Sequence, residues 1–307
     1  MNVSKKLIDA YAKKNHLQGL TKPSLISIIE KKSGYSVAKA KRFLKFQARI
    51  KQDLLNHPVI LNNQFTRWFQ QGEMTEQQIK EFVVQFSVFS NLFLVAQLHK
   101  MINADTLDGM RASKEILANE IGVVFNPATR QPRKPQTVTD PELVSTEGSV
   151  EGGIFRFRAA HFEWLLLLAD SLGLGFDDVG KRHHGTAATL HFCDELVRLY
   201  GSSDYLTSQA ASYAVENWAA AGFWDELVEG FEKFNQRTGA DLPIAFFSWH
   251  AKLEAQHALH TQEELEELYF DTEIDEDKFI ATGNEMLNGV ETFWMGLNQQ
   301  RDVNQVH

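Results

Sequence analysis

The stretch Ile244 to Leu268, IAFFSWHAKLEAQHALHTQEELEEL, restricts the fold more than any other part of the chain. It follows Pro243 and contains neither Gly nor Pro. Proline suits a first helical turn, and an unbroken run of this length predicts one long helix. Within it, His250, Glu254 and His257 stand in the spacing HxxxExxH. At about 100° per residue these positions fall within about 60° of one another. The three side chains therefore share a stripe with Phe246, Phe247 and Leu253, and that stripe is expected to face a core.

Two imidazoles and a carboxylate on a core-facing stripe need a partner. The outer two lie about 10 Å apart along the axis at a rise of about 1.5 Å per residue. That span is long for one ion bound at about 2 Å. It suits two ions about 3.5–4 Å apart, one His on each, with the carboxylate between them or chelating one. A solvated helix face, or core histidines bonded to backbone, is the other reading, and spacing alone leaves both open. His260 extends the series without anything to single it out.

A chain of 307 residues can bury a large core, and 43% hydrophobic with 23% charged residues is ordinary for a soluble globular protein. Cys193 is the lone cysteine, so no intrachain disulfide can form and a reducing compartment fits. The first residues lack an apolar segment with a cleavage site, and the longest apolar run, Phe162 to Ala169, is far short of the roughly 20 residues that span a bilayer. A cytoplasmic protein without a membrane partner is expected. The net charge of −9 hides an asymmetry: residues 1–51 hold 13 Lys/Arg against 2 Asp/Glu, a balance of +11, and the rest carries −20. Such an arm is a candidate dock for an acidic carrier protein, for nucleic acid or for the acidic body itself. Solvated lysines on small helices explain it equally, and no zinc-finger or RNP-type motif supports nucleic acid.

Residues 1–52 read as a basic extension of two or three short helices, broken near Gly19–Pro23 and Gly34, ahead of a main domain at 53–307. Helices are predicted over Pro58–Gln71, from a Thr75-x-x-Gln78 capping box to Asn103, and over Met110–Val124. The Pro-rich stretch Asn126–Gly153 reads as a long loop. Further helices are predicted over Ile154–Leu172, Ala187–Tyr200, Ser203 to about Phe234 across Gly222 and Gly230, and Asp275–Gln299. No run alternates with period two between hairpin signals, so the chain is expected to be all-α.

A dinuclear site needs more donors than three. Glu216 sits among small and aromatic residues in ASYAVENWAAAGFW, His161 precedes the apolar run in AAHFEWLLLLA, and Glu120 lies in ILANEIGVV. An ionised carboxylate in such surroundings is costly unless paired or bound to metal. Each taken singly fits a satisfied core residue; together, one per helix, they fit a ligand set. The ferritin-like plan needs two Glu-x-x-His pairs, and only Glu254-Ala-Gln-His257 is present.

The set resembles the haem-oxygenase-like di-iron oxidase family, within the wider TenA- and PqqC-like group, over about residues 55 to 300. The family's His-x-x-x-Asp/Glu-x-x-His helix is matched by His250, Glu254 and His257. Its Glu before a Gly is matched by Glu120 in NEIG, its His before an apolar helix by His161 in HFEWLLLLADSLG, and its middle Glu by Glu216 in YAVENW. The segment FIATGNEMLNGVETFWMGL is similar to the closing helix of the wider fold. Two departures stand out: Glu254 replaces the usual Asp, and Glu120 and His161 are 41 residues apart where the family has about ten. An insertion at Asn126–Gly153 accounts for the second; otherwise Glu163 or Glu115 takes the ligand role.

The resemblance implies a haem-oxygenase-like helical bundle holding two Fe ions, or a Mn/Fe pair, that uses O₂ to oxidise a small organic substrate. Amines, amino acids and fatty acids are such substrates, with N-oxygenation, desaturation or C–C cleavage as outcomes. Nitrogen and oxygen donors without thiolate suit iron or manganese over structural zinc. An external electron donor is expected, and a homodimer fits the wider fold. Two other readings stay open: a cofactorless TenA-like enzyme, for which Cys193 looks like an ordinary helix cysteine, and a helical binding or scaffold protein that uses the basic arm.

Overall fold

Local caps and left-handed glycines decide where several of the helices begin and end. The computed structural model describes residues 4–125, 153–155 and 161–303, without the side chains at 108, 123–125, 153–155, 253–261 and 303. Most of the predicted loop Asn126–Gly153, and the side chains of Glu254 and His257, lie outside the described residues. Three helices open the chain: α1 (Lys5–Asn15), α2 (Lys22–Ile29) and α3 (Val37–Asp53). Two short ones follow, α4 (Pro58–Leu61) and α5 (Gln64–Phe69), then α6 (Glu76–Ile102) and α7 (Leu107–Glu120). Strands β1 (Val123–Phe125) and β2 (Gly153–Phe155) come next, followed by α8 (His161–Ser171) and α9 (Ala187–Glu195). A π-helical turn at Leu196–Tyr200 leads to α10 (Tyr205–Ala219), α11 (Phe223–Thr238), α12 (Ala245–Asp271) and α13 (Glu276–Val303).

The fold is an all-α bundle with one minimal antiparallel ribbon, in which Val123, Val124 and Phe125 face Phe155, Ile154 and Gly153. The ribbon corrects two predicted boundaries. The helix expected over Met110–Val124 stops at Glu120, and the one expected from Ile154 starts at His161 among the described residues. Three-residue strands are too short to show a period. The capping box predicted for α6 is present: the Thr75 hydroxyl accepts from the Gln78 N–H at 3.2 Å and Gln78 Oε1 accepts from the Thr75 N–H at 3.0 Å. The single helix predicted over Pro58–Gln71 is split, because the Asn63 carboxamide accepts from the N–H groups of Phe65 and Thr66 and starts a new helix there. The helix predicted to cross Gly222 breaks between Ala219 and Phe223, where Gly222 adopts φ 89°. Pro243 precedes α12 instead of sitting in its first turn.

Helix α6 runs through the middle, packed on α7, α8, α9 and the π-turn. Its Phe82 and Phe86 meet Phe69 of α5, Phe231 of α11, Phe247 of α12 and Phe293 of α13. Among the described residues it alone is long and apolar enough to cross a membrane, and 56% of its most apolar window is buried inside the bundle. The N-terminal helices share this core: Phe43 and Phe46 of α3 are fully buried against Tyr269, Phe270 and Phe279. Their lysines at positions 5, 6, 13 and 14 point to solvent.

Gly230 does more than interrupt α11. A Cβ there would meet the Phe69 carbonyl oxygen at 2.3 Å and its ring at 2.6 Å, so α11 and α5 touch backbone to backbone. Gly230→Ala is expected to destabilise the fold by about 1–3 kcal/mol through overpacking, against the small gain an exposed helical Gly→Ala brings. An unchanged urea midpoint would show that the two helices separate without cost.

Candidate metal centre

Three helix ends converge beside α6. Glu120 is the last residue of α7, where Gly122 at φ 89° turns the chain into β1. His161 is the first residue of α8, and His250 lies in the second turn of α12. Each can offer one ligand atom such that all three atoms lie within 4.8 Å of one another. Donors to one first-row ion at about 2 Å are at most about 4 Å apart. A side-chain shift of under about 1 Å would bring the three onto a common ion.

The contacts fit a donor set better than a salt bridge. Glu120 Oε2 lies 2.7 Å from His161 Nδ1. That approach lacks hydrogen-bond direction, and the buried Nδ1 has no hydrogen-bond partner. His161 is only 3% exposed, so an unmet ring nitrogen there carries a real cost. His250 Nδ1 lies 2.7 Å from the Phe246 carbonyl oxygen. That bond needs the proton on Nδ1 and leaves the lone pair at Nε2, the arrangement a ligating histidine uses.

Aromatic rings close the site. The His161 ring stacks on Trp164 at 5.6 Å and meets Trp249 edge-on at 4.6 Å. His250 stacks on Trp224 at 4.5 Å, lies 4.3 Å from Phe246, and its ring is 4.7 Å from that of His161. His161 is buried, whereas Glu120, Trp164, Trp249 and His250 are half-buried.

Glu216 is half-buried on α10, one turn after Ser212. It faces a polar group that sequence reasoning missed. The Lys100 ammonium donates to Ser212 Oγ and sits 4.4 Å over the Tyr200 ring. Although the residue as a whole is half-buried, that ammonium end is enclosed; burial lowers its pKa, and Glu216 and Glu264 oppose the shift. The Tyr200 hydroxyl donates to Gln97 Oε1 at 2.7 Å. Its pKa is pushed well above the usual value by burial, and then by Glu216, Glu264 and Glu120. Glu120 and Glu216 thus act on the same phenol from α7 and α10. A signal for Glu264 was available, since it stands one heptad beyond His257 on the HxxxExxH stripe. Lys100 and Tyr200 lie near helix ends, and no local pattern marks them.

Of the six candidate ligands, Glu120, His161 and His250 come together, Glu216 faces the adjoining polar group, and Glu254 and His257 are on α12 with side chains outside the described residues. The alternates Glu115 and Glu163 do not join the cluster: Glu115 is exposed and Glu163 half-buried. Cys193 is buried, and burial together with Asp194 pushes its thiol up to about 12, which leaves almost no thiolate for nucleophilic chemistry.

No family model matches the chain, and no curated protein does. Among solved structures, the fold matches the crystal structure of a CADD-like protein of unknown function from Nostoc punctiforme PCC 73102. The match has a TM-score of 0.54 over 86% of this chain and 99% of that one, at 16% sequence identity. At that identity the likeness establishes the shared fold, and function has to be argued from the site.

Proposed function

We propose that the protein is a non-haem di-iron oxidase or oxygenase, with a Mn/Fe pair as the variant, that oxidises a small organic molecule. The observation that carries this reading is the approach of Glu120 Oε2 to His161 Nδ1 at 2.7 Å without a hydrogen bond, beside His250, in an aromatic shell. Glu120, His161 and His250 would hold one ion, and Glu216, Glu254 and His257 would complete the pair. The pair, when bound, supplies a route from O₂ to an oxidant of small molecules.

The chain's own groups do the rest. Trp164 and Trp249 hold the His161 ring between them, and the Phe246 carbonyl sets the orientation of His250. Trp164, Trp224, Trp249 and Phe246 set apolar surface against the two histidines, which would limit water around a bound metal pair. The acidic residues Glu120 and Glu216 would neutralise bound cations, and Lys100, whose pKa burial lowers against the opposing pull of Glu216, adjoins Glu216. The exposed basic face of the N-terminal helices would receive an acidic carrier that delivers substrate.

Anaerobic titration of the metal-free protein with Fe(II) is expected to show roughly two equivalents bound per chain. Rapid mixing with O₂ should then give a visible-absorption change that zinc-loaded protein does not show. Absence of tight Fe(II) uptake would reject the reading.

A further inference from the structure

We propose that Trp224, Trp218, Trp294 and Trp68 form a one-electron relay joining the candidate metal centre to the protein surface. The inference rests on the reading of His250 as a ligand of a redox metal. Trp224 stacks on His250 with centroids 4.5 Å apart and planes 21° apart. Phe223 bridges Trp224 at 4.4 Å to Trp218 at 4.8 Å and to Trp294 at 5.6 Å. Trp218 and Trp294 are 6.4 Å apart. Phe65 bridges Trp294 at 5.6 Å to Trp68 at 5.4 Å. The rings come from α11, α10, α13 and α5, so the path crosses the bundle. It emerges at half-buried Trp68, over which the Arg301 guanidinium lies at 5.0 Å.

Two features separate this path from ordinary aromatic core. Indole gives up an electron far more readily than a phenyl ring, and tunnelling falls exponentially with distance, so short hops between indoles outrun one long jump. The indole N–H groups of Trp218, Trp224 and Trp294 are all buried without a hydrogen-bond acceptor. Each unmade bond destabilises the fold. Phenylalanine fills the same kind of space without an orphaned donor, and the chain uses it 22 times. An unpartnered N–H has a use in a relay: an oxidised indole that cannot pass its proton to an acceptor does not settle as a neutral radical, and the hole stays mobile.

The electron count closes. Trp224 gives one electron to the oxidised metal and becomes a radical cation. Trp218 or Trp294 refills it, Trp68 refills them, and a soluble one-electron reductant at the surface refills Trp68. No bond forms or breaks, and no proton moves.

The test uses the full chain with a ruthenium photo-oxidant attached through Gln64→Cys, an exposed position one turn before Trp68; Cys193 is buried and stays unlabelled. Fe(II) binding is measured first, without light. Protein that takes up no Fe(II) overturns the ligand reading and the relay with it. In the Fe(II)-loaded protein a flash is expected to oxidise iron, read as ferric absorbance. In zinc-loaded protein the same flash should leave an indole radical visible by EPR. Trp294→Phe should slow iron oxidation by more than an order of magnitude. Iron that binds normally and is oxidised equally fast in Trp294→Phe overturns the relay while leaving the metal site standing.

Discussion

His161→Ala is expected to remove the response of the protein to Fe(II) while leaving the metal-free fold close to its parent stability. The residue is buried, yet its Nδ1 makes no hydrogen bond. The substitution therefore loses packing but also removes an unmet polar atom, and these effects oppose one another. Iron affinity has no such offset. Outer-sphere substitutions alone typically cost 10–100-fold in metal binding, and loss of a ligand is expected to exceed that. A ligand present at a hundred times its dissociation constant stabilises a fold by about 2.7 kcal/mol. Wild-type protein should therefore show a clear Fe(II)-dependent rise in melting temperature, and His161→Ala should show none. Exposed His191→Ala should behave like wild type. An Fe(II)-dependent shift that survives in His161→Ala would place the metal elsewhere.

Glu266→Ala should be the most damaging single change away from the site. This carboxylate on α12 is 0% exposed. It accepts from the Thr21 N–H at 3.0 and 3.1 Å, from the Thr21 hydroxyl at 2.6 Å and from Gln262 Nε2 at 2.9 Å. Thr21 is the N-cap of α2 and its own side chain makes no capping bond, so Glu266 caps that helix from a distance in sequence. Its removal takes the acceptor from three donors and leaves a small void, a loss of about 3 kcal/mol. Because α2 and α3 pack on α12, amides of α1 to α3 should exchange faster than those of α6 in the variant. Glu266→Gln keeps one acceptor and should lose less. A Glu266→Ala urea midpoint within the error of wild type would reject the capping role.

The legible parts of the sequence were those set by local chemistry. Thr75 and Gln78 announce α6, and Pro-free apolar periodicity announces α12 and α13. The breaks at Asn62–Asn63 and Ala220–Gly222 are hidden in the sequence, because the apolar period continues across a competing side-chain cap and a left-handed glycine. Gly230 read as a tolerated interruption, since its reason is a neighbour from another helix. The site divides the same way. His161 and His250 declare themselves by polar chemistry on apolar faces. Lys100 and Tyr200 are ordinary residues until tertiary packing encloses them beside Glu216. Glu120 lay between: its environment was visible, but its distance from His161 in sequence argued against it until the ribbon joined them.

That ribbon separates two problems that a long insertion usually couples. Because β1 and β2 pair directly between α7 and α8, the cost of bringing residues 125 and 153 together falls on the strand pair and not on the contact of Glu120 with His161. Loop closure grows only logarithmically, by about 0.6 kcal/mol for each doubling in length. Evolution can therefore lengthen, shorten or replace that segment without retuning the centre. The ribbon acts as an adaptor that holds Glu120 and His161 in place whatever the length of the sequence between its strands.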